Sequence, residues 1–101
     1  MDPITLTIIA LAISTVVVIA LLNWSKIVDW FRNRQGQITA KEKENIAFTI
    51  KEELENGNVE VIQGIFDKGS ETVVDGVKYK AEKLDSETKQ KLNGSPVKIY
   101  N

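Results

Sequence analysis

Neither cysteine nor histidine occurs anywhere in this 101-residue chain, and the two absences remove most familiar site chemistry. Without cysteine there is no disulfide framework, no thiolate metal site and no thiol nucleophile. Without histidine the commonest general base and the commonest transition-metal ligand are both missing. An excess of charge of one sign is lacking too: 13 basic residues against 14 acidic ones leave a net charge of −1. From Gln35 onward, ten Lys/Arg face twelve Asp/Glu. That balance argues against a nucleic-acid partner, which needs a basic surface to offset phosphate repulsion.

The remaining catalytic templates fail one by one. Ser14 and Ser25 belong to an apolar amino-terminal region, and Ser70, Ser86 and Ser95 have no histidine to activate them. A serine–lysine pair of Ser70 with Lys68 needs a buried lysine, whereas Lys68 falls in the turn signal Asp67-Lys68-Gly69-Ser70. Asp67, Glu71 and Asp75 straddle that turn and lack the ligand pattern of a calcium loop. No glycine-rich phosphate-binding motif is present. The expectation is a protein without enzymatic activity, catalytic residues, cofactor or metal.

What the chain does have is an uncharged run from Ile4 to Leu22. As a helix it would span about 28 Å at 1.5 Å per residue, close to the hydrocarbon thickness of a bilayer. Its only polar side chains are the hydroxyls of Thr5, Thr7, Ser14 and Thr15, which can bond back to helix carbonyls. A soluble amphipathic helix would show a polar stripe, and none is visible. A cleaved signal peptide fits less well. Met1-Asp2-Pro3 carries an acid and no Lys or Arg, and the apolar stretch continues past the small-x-small pattern Ala10-Leu11-Ala12. The run is thus expected to be a membrane anchor. Lys26, Arg32, Arg34, Lys41 and Lys43 follow it, so the amino terminus is expected outside and the carboxyl-terminal part in the cytoplasm of a single-pass cell-membrane protein. Thr7, Ala10 and Ser14 form a small, hydroxylated stripe suited to packing between anchors.

Between Asn23 and Arg32 the residues Trp24, Ile27, Val28 and Phe31 recur at helical spacing. This predicts a helical extension at the membrane interface, with Trp24, Lys26, Trp30, Phe31, Arg32 and Arg34 as the interfacial residues. Gln35-Gly36-Gln37 has linker composition. Thr39-Ala40-Lys41-Glu42 matches a capping box, and Ile46, Ile50 and Leu54 follow at four-residue spacing, predicting a helix from about Ala40 to Glu55 that Asn56-Gly57 stops. Beyond Gly57 the period falls to two. Val59, Val61 and Ile65 face one way and Ile62 and Phe66 the other, the pattern of an inner strand. Thr72-Val73-Val74 begins a second strand, and Asp75-Gly76 is either a hairpin turn or a bulge in one longer strand. Asp85 or Ser86 caps a short helix running to about Leu92, and Val97 and Ile99 alternate in a last strand.

The expected fold is therefore a single transmembrane α-helix followed by a small α+β domain: helix, two or three antiparallel strands, short helix, strand. Residues 1–34 would be the anchor with its interfacial extension, 35–38 a linker and 39–101 the cytoplasmic module. One small core is expected, drawn from Ile46, Ile50, Leu54, Val59, Val61, Ile65, Val73, Val77, Leu84, Leu92, Val97 and Ile99. About 60 residues bury little surface alone, which favours self-association or a protein partner besides membrane lipid. Lys78, Lys80 and Lys83 form a basic strip beside Tyr79, either for a phosphate-bearing ligand or to blunt a sheet edge. The function expected is a membrane-anchored binding or assembly module; the alternative is a small pore-forming, holin-like effector whose module gathers the anchors.

Overall fold

Four consecutive β-branched residues, Val16, Val17, Val18 and Ile19, are stiff at χ1 and favour extended backbone over helix. In the computed structural model, which describes residues 13–38, 45–93 and 97–100, they form strand β1 (Val16–Leu22). Helices α1 (Trp24–Arg32) and α2 (Gln35–Ile38) follow, then strands β2 (Asn45–Glu53), β3 (Val59–Asp67) and β4 (Thr72–Leu84), helix α3 (Ser86–Lys91) and strand β5 (Val97–Tyr100). The strands make one mixed sheet in the order β1-β4-β3-β2-β5. Strand β1 runs parallel to β4, and every other pairing is antiparallel.

The uncharged run therefore does not form the expected transmembrane helix. Its second half is a sheet strand; Ile4–Ala12 lies outside the described residues. Among the described residues no helix is long and apolar enough to cross a membrane. The signal-anchor, the single-pass cell-membrane location and the orientation inferred from it are not supported, and the anchor bundle of the pore-forming alternative has no counterpart among those residues. Parallel strands commonly read as unbroken apolar runs, so the run alone does not separate strand from spanning helix. The sheet also draws on both sides of the boundary expected at residues 34–35.

The helix expected from Ala40 to Glu55 is likewise replaced, over Asn45–Glu53, by strand β2. A spacing of four is a multiple of two, so Ile46 and Ile50 share a face of a strand as readily as of a helix. Phe48 decides the matter: Ile46, Phe48 and Ile50 alternate onto one face and are all buried. The capping-box residues Thr39–Glu42 lie outside the described residues. Gly57, at φ +87, serves a hairpin loop between β2 and β3, in which the Gly57 N–H donates to the Leu54 carbonyl at 3.0 Å. Gln35–Ile38, expected as linker, is the short helix α2.

Strand β3 sits at the centre of the sheet, as its two apolar faces predict. Strand β4 is continuous through Asp75-Gly76, so the bulge reading holds rather than the hairpin: Ile65 pairs with Asp75 and Phe66 with Val73, leaving Val74 as the extra residue. Gly64 and Gly76 face each other across this ladder. A Cβ on Gly64 would lie 2.7 Å from the Asp75 carbonyl oxygen and 2.9 Å from Phe48 Cζ, so the close approach of the Phe48 ring requires glycine.

The sheet separates two apolar clusters in place of the single core expected. On one face Leu22, Ile27, Val61, Val77, Tyr79, Ala81, Leu84 and Leu92 pack together. On the other are Ile46, Phe48, Ile50, Ile62 and Phe66, with Ile13, Val73 and Val97 against them. Of the expected core residues, Ile99 is exposed and Leu54, Val59, Val73 and Val97 are only partly buried. Helix α1 covers the first face: its Ile27 is fully buried, and the Ile27 carbonyl accepts a hydrogen bond from Gln63 Nε2 at 3.1 Å. Asn23 begins this helix, its side-chain oxygen accepting from the Lys26 N–H at 3.1 Å. Asp85 caps α3 in the same way through the Thr88 N–H at 2.8 Å.

Removing the Phe48 ring should cost about 3–5 kcal/mol, as loss of a fully buried aromatic does. Ile99→Ala, at a position 40% exposed, should cost well under half of that. Urea unfolding of both variants compares them, and similar losses would place the second cluster wrongly.

Candidate functional site

The aromatic residues expected at a membrane interface instead fasten α1 to the sheet. Trp24, Trp30 and Phe31 are partly buried against the first cluster. Trp30 and Phe31 meet edge to face at 5.3 Å between ring centroids, and Phe31 meets Tyr100 of β5 at 5.4 Å. Arg34 lies 4.0 Å from the Trp30 ring centroid and donates from Nε to Asp75 of β4 at 2.7 Å. Lys98 of β5 stands 5.7 Å from the Trp24 centroid and donates to the Lys91 carbonyl at the end of α3. Lys26 is exposed, and Arg32 makes an exposed 3.5 Å ion pair with Asp29. Of this set, the structure brings Trp24, Trp30, Phe31 and Arg34 together; sequence spacing did not reveal their partners Asp75, Lys98 and Tyr100, which come from distant strands.

Between α1, α2, β2 and β5 lies an apolar groove of about 490 Å³, lined by Trp24, Ile27, Phe31, Ile38, Ala47 and Tyr100. Arg32 and Gln35 also border it, so its lining is mainly apolar with two polar side chains among it. Deeper polar groups serve the fold. The Thr49 hydroxyl and the Tyr100 phenol share a 2.9 Å hydrogen bond. Burial raises the pKa of Tyr100, partly offset by that bond, and burial raises Tyr79 as well, partly offset by the positive charge of Arg34.

Lys78, Lys80 and Lys83 do not form one strip. Lys78 and Lys80 are on one face of β4, and Lys83 lines a separate cavity of about 570 Å³ with Lys51, Glu53, Glu82 and Lys89, where opposite charges mix. Lys78 is 14% exposed and sits 3.7 Å from Glu60. Strand β4 lies inside the sheet, between β1 and β3, so these lysines guard no edge. Ser70, the candidate nucleophile, donates to Asp67 at 3.0 Å within the turn. Of the proposed packing stripe, Thr7 and Ala10 lie outside the described residues, and Ser14 is exposed just before β1.

The sheet's edges are β1 and β5, and β1 is the apolar one. Among the described residues no strand pairs with its outer side. Val18 is 81% exposed, Val16 46% and Leu21 40%, and the strand carries neither charge nor proline. Charge and proline are two of the devices that blunt natural edges. Val16 and Val18 lie beside Lys78 and Lys80 in the parallel register, the only cationic groups opposite them on β4. Sequence reasoning missed this edge because it assigned the run to a helix.

These features define a small, β-rich mixed-sheet module with one helix-covered face and an apolar edge strand, β1, whose outer side no described strand pairs with. Compared with models of protein families, with curated proteins and with solved structures, the chain matches none.

Two outcomes test the fastening of α1. A double-mutant cycle on Arg34 and Asp75 should give a coupling of about 0.5–1 kcal/mol that weakens at high salt, as expected for a pair about one-third exposed. The unfolded phenols release protons near the ordinary value of 10.0 while folded Tyr79 and Tyr100 still hold theirs. Above that pH the unfolded state binds fewer protons, so stability is unaffected well below it and falls as pH rises through it. The decline in melting temperature should be shallower in Tyr100→Phe.

Proposed function

We propose that this chain is a binding or assembly module without enzymatic activity, which works by accepting an extended segment along the outer edge of β1. The observation that carries the reading is the exposure of Val16, Val18 and Leu21 on an edge strand free of charge and proline. Main-chain groups along such an edge supply affinity, and the alternating side chains supply selectivity. The composition agrees with it: no histidine or cysteine is available for catalysis, and the near-neutral balance does not favour nucleic acid. A short sheet with two thin cores also gains stability from added surface.

The test is site-specific photo-crosslinking in cells, comparing a photoreactive residue at Val18 with one at Glu87, which is exposed on α3. Discrete adducts should form at Val18, be far weaker at Glu87, and disappear when Val16→Pro is added to disturb the edge. Equal yields at both positions, or none at Val18, would refute the edge as a binding surface.

A further inference from the structure

We propose that the segment received by the β1 edge is β1 of a second copy of this chain, paired antiparallel about a two-fold axis through Val17. The inference rests on the reading of β1 as a binding edge and names its occupant.

Backbone directions set the register. The Lys78 N–H donates to the Thr15 carbonyl at 2.8 Å, so Thr15 turns its polar groups toward β4. By strand alternation Val17 and Ile19 do the same, and Val16 and Val18 turn theirs outward. The Asp85 N–H donates to the Leu22 carbonyl at 3.1 Å, which shows that the alternation reverses once before Leu22. Ala20 is the residue of β1 without a partner on β4, and it marks the reversal. The regular part of the outer edge is therefore centred on Val17. A two-fold axis there sets Val16 opposite Val18 of the other copy, twice, and each such pair exchanges both backbone hydrogen bonds. It also gathers the two most exposed large apolar side chains of β1, Val16 and Val18, from both copies into one four-valine cluster.

Charge makes β1, and not β5, the edge suited to pairing with its own copy. A two-fold axis brings each residue near its own kind, so a charged strand meets like charge while a neutral one does not. Strand β1 has no charge, whereas β5, the other edge, carries Lys98. Pairing from Ser14 to Ala20 spans about 24 Å of edge at 3.4 Å per residue. A joint of one strand pair is short, so the dimer should exchange with monomer reversibly.

Sedimentation of the full chain across concentration should show a reversible monomer–dimer equilibrium. Val18→Glu places a carboxylate beside Lys80 within its own copy, but brings two carboxylates within about 8 Å of each other across the axis. It should weaken dimerisation at least about tenfold while leaving the melting temperature of the monomer unchanged. Ile99→Glu, at an exposed site on β5 at the opposite end of the sheet, should leave the equilibrium intact. For register, Val17→Cys should form a covalent dimer on air oxidation faster than Val16→Cys, because Val17 faces itself across the axis. A dimer indifferent to Val18→Glu, or faster crosslinking by Val16→Cys, would overturn the proposal. So would a chain monomeric at all concentrations, and amide exchange then separates the causes. Fast exchange at Val16 and Val18 leaves an open edge that takes a different strand, sinking only the second copy; slow exchange in a monomer means that the edge is already covered, which sinks the edge reading too.

Discussion

The parallel ladder between β1 and β4 is the constraint on which the rest of the structure depends. It turns a run of valines into the end of a sheet and delivers Leu22 to the first apolar cluster. Asn23 then starts α1 at the point where the chain must cross that face. Because β4 is long, it pairs with β1 on one side and β3 on the other. Both of its neighbours are thereby held in place by one strand.

Helix α1 is secured at intervals by contacts of different kinds. Gln63 bonds the Ile27 carbonyl from beneath, Arg34 reaches Asp75, and Phe31 meets the Tyr100 ring at a tilt. One compromise is visible: Gln63 Oε1 is buried with no hydrogen-bond partner among the described residues. A lone buried acceptor costs stability. Gln63 nonetheless ties the helix carbonyl to the central strand, and its apolar neighbours Val61 and Ile65 are fully buried.

The two ends of the sheet differ in a way that bears on function. At β5 only four residues pair with β2, and Lys98 is drawn inward onto α3 and the Trp24 ring. At β1 the outer backbone groups lie beside bare valines. An uncovered edge of that kind is a liability, and among the described residues no strand covers it; the proposed partner strand rests on that observation.

By itself the sequence determined the elements whose signals are local. The Asp85 cap and the short helix after it, the Asp67–Ser70 turn, the two-faced strand β3 and the apolar face of α1 were all legible from neighbouring residues. Capping, turn and alternation chemistry acts within a few positions. Two strands were not legible, for one reason: their sequence periods are shared by two structures. The Ile46–Ile50 spacing suits helix and strand, and an uncharged apolar run suits a spanning helix and a parallel strand. Only the partners resolve them, with β3 and β5 flanking β2 and β4 flanking β1. The candidate site was hidden for the same reason. An open edge is a property of strand order, and strand order is set by which distant residues bury one another, a quantity that no local pattern carries.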